Sequence, residues 1–182
     1  MRSLVVYESL WGNTEQVARA VAAGLGDSMT VDVVQVGAAP TAPTDDVDLL
    51  VVGGPTHTFS MSRPSTRSEA VTRGAENAAS GPGIREWIAA LPKARDGLLV
   101  ATFDTRVDKV RRLPGSAARK AGKLLRHLGY AQVLDAESFY VADMEGPLLD
   151  GEMDRARVWG SRLGDAALES MAVGGASLRR WL

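Results

Sequence analysis

Three short segments of this chain combine hydroxyls, glycines and small polar rings in patterns that can hold an anion and a flat ligand. The first is Glu8-Ser9-Leu10-Trp11-Gly12-Asn13-Thr14-Glu15, between an apolar run and a helical pattern. Ser9, Asn13 and Thr14 bring side-chain donors, and Gly12 permits a tight turn. A helix starting here points unpaired N–H groups and the positive end of its dipole back at the loop. That is chemistry for a phosphate, although Gly12 or Asn13 would equally serve as a plain helix cap. The second segment is Gly53-Gly54-Pro55-Thr56-His57-Thr58-Phe59. Its two glycines let a flat ligand approach the backbone, Pro55 stiffens the exit, and Thr56, His57 and Thr58 offer hydrogen bonds along a ring edge. The third, Thr102-Phe103-Asp104-Thr105-Arg106, sets an aromatic beside polar groups and a cation. Together they supply an anion cradle and two walls for a planar ring.

Other chemistries are excluded by what is missing. Gly-x-x-x-x-Gly-Lys-Ser/Thr is absent, so phosphotransfer on a P-loop lacks its lysine and its magnesium-binding hydroxyl. Gly-x-Gly-x-x-Gly does not follow the first apolar run, which weakens a dinucleotide reading and favours a phosphate monoester. Gly-x-Ser-x-Gly is absent, and two histidines, His57 and His127, make no hydrolase triad. A phosphoacceptor aspartate is missing where Gly53-Gly54 stand. With no cysteine there is no disulfide, thiolate nucleophile, cysteine-ligated zinc or iron–sulfur cluster, so redox chemistry requires a borrowed cofactor.

The elements that must position these loops are legible as alternating patterns. Apolar, β-branched or leucine-rich runs at 4–7, 31–36, 49–52, 98–103 and 132–134, most without polar alternation, are read as buried parallel strands. Between them, Val17, Ala20, Val21, Gly24 and Leu25 share one helical face. So do Ile84, Trp87, Ile88 and Leu91, then Ala117, Ala121, Leu124, Leu125 and Leu128, and finally Ala156, Trp159, Leu163 and Ala167. Strand–helix alternation predicts an α/β, three-layer, doubly wound domain with a five-stranded parallel sheet. In such a sheet ligands bind beyond the carboxyl ends of the strands, where all three segments fall. The 182 residues suit one domain, drawn here over residues 1–171, with a flexible tail over 172–182 that breaks at Gly174-Gly175. The polar stretch from Ser60 to Gly83 interrupts the pattern, with a short helix expected over Ser68 to Ala79.

Charge and hydropathy bound the partners. Twenty-one basic against 22 acidic residues leave −1, which removes a global field for nucleic acid or an anionic membrane. No apolar run approaches the roughly 20 residues that span a bilayer, and the start turns charged too soon for a signal-peptide core, so a cytoplasmic protein without membrane insertion is expected. One local exception stands out. From Arg106 to Arg126 the chain carries Arg106, Lys109, Arg111, Arg112, Arg119, Lys120, Lys123 and Arg126 against Asp108 alone. This is either the solvated face of a helix or a positive rim for an acidic redox protein or a nicotinamide donor's phosphates.

Ser9-Leu10-Trp11-Gly12-Asn13-Thr14 resembles the phosphate-binding signature of the flavodoxins, Ser/Thr-x-Thr-Gly-Asn-Thr, with Trp11 in place of a third hydroxyl. Gly54-Pro55-Thr56-His57 is similar to the Gly-x-Pro-Thr-Arg turn of flavodoxin-like quinone reductases. The resemblance implies bound flavin mononucleotide (FMN), strand order 2-1-3-4-5 and electron transfer by a monomer or weak homo-oligomer. Ser9 to Thr14 would hold the phosphate, while Pro55 to Phe59 and Thr102 to Arg106 would flank the isoalloxazine. The chain departs from the family in being near neutral rather than strongly acidic, and in showing Phe103 where a stacking tyrosine is frequent. Three readings follow: an electron carrier working between proteins, a quinone reductase using a nicotinamide donor, or a flavin-free interaction domain on the same fold.

Overall fold

The computed structural model describes residues 1–75 and 81–178, the last five of these by backbone alone. Strand β1 (Arg2–Tyr7) is buried from Ser3 onward because both of its faces are covered, which explains its unbroken apolar run. It lies between β2 (Thr30–Gln35) and β3 (Leu49–His57), with Val5 opposite Val33 on one side and Val51 on the other. Next to β3 comes β5 (Leu99–Val107), and all these pairings are parallel. Two short strands share the last position: β6 (Ala131–Gln132) pairs with Leu99–Val100, and β7 (Glu137–Val141) with Phe103–Val107. The sheet therefore keeps the expected order of five positions, the fifth being split. The split lay hidden because Asp135, Glu137 and Ser138 carry no apolar signal, although Phe139 beside them is fully buried.

Helices α1 (Asn13–Leu25) and α5 (Glu152–Leu178) cover one face, while α3 (Ile84–Ala90) and α4 (Ala117–His127) cover the other. The first pair packs backbone to backbone. A Cβ on Gly24 would stand 2.0 Å from the Arg157 carbonyl oxygen, and one on Gly160 2.2 Å from that of Val21, so only glycine allows the approach. The break expected at Gly174-Gly175 falls within α5, and residues 179–182 of the tail lie outside the described residues. Among the described residues no helix is long and apolar enough to cross a membrane.

Two strands outrun their apolar signal, and this positions the site. β3 continues from Val52 to His57 and β5 from Phe103 to Val107, paired as far as Pro55 opposite Thr105. β3 then turns back through Thr58 and Phe59 into β4 (Ser60–Met61). Helix α2 (Pro64–Thr72) follows, opened by Pro64 in the first turn and by the Thr66 hydroxyl, which accepts from Arg63 N–H at 2.9 Å. It begins earlier than expected and ends at Thr72, and the end of the expected helix, at 76–79, lies outside the described residues.

Candidate functional site

The loop between β1 and α1 ends at Gly12, whose φ of 84° puts the helix cap in the left-handed region that favours glycine. The first helical bond is Gln16 N–H to Gly12 carbonyl. Among the described residues no backbone N–H from Leu10 to Glu15 finds an acceptor. Consecutive free donors at the positive end of a helix dipole form an anion-binding concavity. Asn13 and Thr14, both buried, are fixed around it. Asn13 Nδ2 donates to the Glu145 carbonyl at 3.0 Å, and Thr14 Oγ1 is 2.7 Å from Thr105 Oγ1. The Ser9 hydroxyl is buried without a partner.

A small cleft of about 30 Å³ opens here. Leu10, Trp11, Asn13 and Thr14 line one side, Pro55, Thr56 and His57 the second, Thr105 and Arg106 the third, and Val141 and Met144 close it. A second cleft of about 180 Å³ adjoins it across Trp11, His57 and Met144, and adds Thr58 and the α2 residues Thr66, Glu69 and Ala70, with Arg73 just beyond the helix. Leu10 itself is buried against Ala70 and Ala75, with Trp11 packed alongside.

Arg106 is the charge of the first cleft. It is 6% exposed, its Nη2 donates to the Val110 and Leu113 carbonyls at 2.9 and 3.1 Å, and its Nε has no partner. Among the described residues it makes no ion pair. A desolvated cation without a counter-ion is costly unless a ligand brings the negative charge. His57 does not share this role at neutral pH. Burial holds its imidazolium below the ordinary value, and the Glu8 and Glu69 carboxylates push back only in part.

Several residues expected at the ligand are placed elsewhere. Phe103 is 1% exposed and packs edge-on against Phe139 and Trp159, with centroids 6.1 and 6.2 Å away. Its ring fills the space over Gly53, where a Cβ would stand 2.0 Å from Cζ. Phe103 is therefore a core residue, and the first glycine admits that ring rather than a ligand. Thr102 is fully buried. Asp104 builds the start of α4, since its Oδ2 accepts from Thr56 Oγ1 at 2.8 Å, Ser116 Oγ at 2.5 Å and Ala118 N–H at 3.0 Å. The Thr56 hydroxyl also accepts from Ala117 N–H, so its proton is committed and one acceptor lone pair remains for a ring edge. Strand alternation explains these placements: β5 continues through the segment and sends side chains to both faces.

Thr58 and Phe59 form a two-residue hairpin turn with φ of 46° and 62°. Such a turn normally takes Asn-Gly, and each non-glycine residue here costs roughly 1–2 kcal/mol. Phe59 nonetheless stays 47% exposed.

Sequence reasoning missed one polar cluster. Glu8, 3% exposed, accepts from Ser62 Oγ at 2.5 Å and from Ile84 N–H at 2.8 Å. Arg67 donates to Ser62 Oγ at 3.0 Å and pairs with Glu86 at 3.0 Å, while Arg85 holds Ser60 Oγ and the Met61 and Ser62 carbonyls. The visible signals were an acid closing an apolar strand and the arginines beyond Ser60. Their partners lie too far along the chain for spacing to reveal them.

No family model and no curated protein matches the sequence. Solved structures do. A flavodoxin from the domain Archaea is 17% identical, with a TM-score of 0.60 over 92% of this chain and 99% of that one. A flavodoxin of Streptococcus pneumoniae TIGR4 is 15% identical, with a TM-score of 0.59 over 91% and 99%. The rubredoxin oxygen:oxidoreductase of the anaerobe Desulfovibrio gigas is 14% identical, with a TM-score of 0.62 over 94% of this chain but 37% of its own.

Proposed function

We propose that this chain, whose fold is flavodoxin-like, holds FMN and passes electrons between redox partners. The observation that carries the reading is the row of unpaired N–H groups from Leu10 to Glu15, in a loop that lines a cleft also containing a buried arginine without an ion pair. Both features ask for an anion, and the adjoining walls suit a flat ring. FMN brings a phosphate and an isoalloxazine in one molecule.

The residues divide the work. Backbone donors of the β1–α1 loop and the Ser9 hydroxyl would take the phosphate, while Asn13 and Thr14 brace the loop through Glu145 and Thr105. Arg106 supplies fixed positive charge in the cleft, which favours whichever ligand state is more negative. Neutral His57 leaves that task to the arginine and offers a hydrogen bond at the boundary of the two clefts. Trp11 stands at the same boundary with a face for a ring. Bound flavin would supply one- and two-electron chemistry, and the protein sets its orientation and electrostatics.

The test compares FMN with riboflavin, which lacks the phosphate. Charge-assisted hydrogen bonds contribute roughly 1.5–3 kcal/mol each, so two of them separate the ligands more than tenfold. Equal affinities would remove the reading, and Thr14→Val with Asn13→Ala narrows the gap if it holds. A second reading, a quinone reductase with a nicotinamide donor, is favoured by the adjoining cleft of about 180 Å³, the larger of the two. Turnover with a quinone and a nicotinamide donor alone would select it.

A further inference from the structure

We propose that the rim beside the cleft is a docking surface for an acidic partner protein, with Phe59 at its apolar centre and the cations flanking α4 as its electrostatic guide. Residues 106–126 hold eight basic residues against one acid, a local +7 in a chain of −1, so −8 falls on the remainder. The basic residues are gathered in one segment of chain, and that segment begins at Arg106 in the cleft. Lys109, Arg112, Lys120 and Lys123 are exposed and make no ion pair among the described residues, whereas Arg111 is held by Asp108 at 3.2 Å.

The apolar part of the rim is independently marked. Phe59 sits in the left-handed region beside an equally strained Thr58, and the turn delivers its side chain to solvent rather than into a core. Strain kept at an exposed aromatic, next to a cleft, points to a functional contact. The turn rests on Gly115, where a Cβ would stand 2.5 Å from Phe59 Cβ. Two residues away is Leu113, 48% exposed, whose carbonyl is held by Arg106 from inside the cleft. An apolar centre with a positive border fits a partner carrying apolar groups ringed by carboxylates. The inference rests on the redox reading for the purpose of the docking.

The experiment titrates the full chain, with and without FMN, against a small acidic [2Fe–2S] ferredoxin as probe and a basic cytochrome c as counter-probe. Ferredoxin affinity should fall at least about tenfold between about 20 mM and about 300 mM salt, as screening shortens the Debye length. At low salt, Lys109→Glu with Arg112→Glu should weaken it about tenfold. The same charge change on the opposite face, Arg157→Glu with Arg162→Glu, should shift it less than about twofold. Phe59→Asn should weaken binding while Tm stays level or rises, because asparagine tolerates the turn. Equal losses in the two charge-reversed proteins, equal affinity for cytochrome c, no loss in Phe59→Asn, or tighter capture by phosphatidylserine vesicles than by ferredoxin would each overturn the surface. FMN binding, read separately from visible absorbance, keeps the two conclusions apart. Docking without FMN removes the redox reading alone, and FMN without docking removes the surface alone.

Discussion

Replacing Glu8 by alanine tests whether the polar cluster at the end of β1 holds the outer wall of the site. The carboxylate is buried and accepts two hydrogen bonds, from Ser62 Oγ and from Ile84 N–H, the first donor of α3. Hydrogen bonds to a charged group contribute roughly 1.5–3 kcal/mol each, so their loss costs about 3–6 kcal/mol before relaxation. Arg67 keeps its pairing with Glu86, and water can enter the vacated space, which places the net cost at the lower end, about 3 kcal/mol. For a chain of this size about 1 kcal/mol moves Tm by roughly 2–4 °C, so Glu8→Ala should lower it by about 6–12 °C. Glu8→Gln retains one acceptor oxygen and should lose about half as much. Thermal unfolding followed by circular dichroism measures this, and trypsin cleavage at Arg73 should accelerate in Glu8→Ala because the 60–75 arm loses its anchor. A Tm within about 2 °C of the parent would refute the idea that this carboxylate carries structural weight.

Trp11→Ala should weaken FMN binding by about 0.5–1.5 kcal/mol, and the indole fluorescence of the parent should be quenched on adding FMN. Unchanged affinity would mean that Trp11 only packs on Leu10 and Ala70. His57 should titrate below 6.5 by NMR, since burial disfavours its charged form. Over that window the unfolded chain binds more protons than the folded one, so stability should fall as pH drops below 6.5 toward the folded pKa, and His57→Gln should remove that part of the slope. Gly24→Ala should destabilise by at least about 1–3 kcal/mol, because the added methyl meets the α5 backbone rather than a movable side chain. A denaturant midpoint equal to the parent's would show that α1 and α5 can separate freely.

The alternation of strand and helix patterns along the chain determines the layers. Continuous apolar runs such as Leu4 to Tyr7 are buried on both faces, and a 3.6-residue period around Val17, Val21 and Leu25 gives the helix one face for the core. The β1–α1 loop was legible for the same local reason, since Gly12 and the residues around it act within one turn of chain. Where the second and third segments pointed was a tertiary matter. Phe103 was read as a ring wall and is a core residue, and Asp104 was read at the ligand and caps α4, because strand β5 runs on past its apolar stretch and each successive side chain changes face. The unpaired charge of Arg106, the Glu8 cluster and the strain at Thr58 and Phe59 depend on groups brought together across tens of residues, or on a turn closed by pairing. Local periodicity records which face a residue prefers. Which polar groups stay without partners, and so are free for a ligand, is decided only when the whole chain has packed.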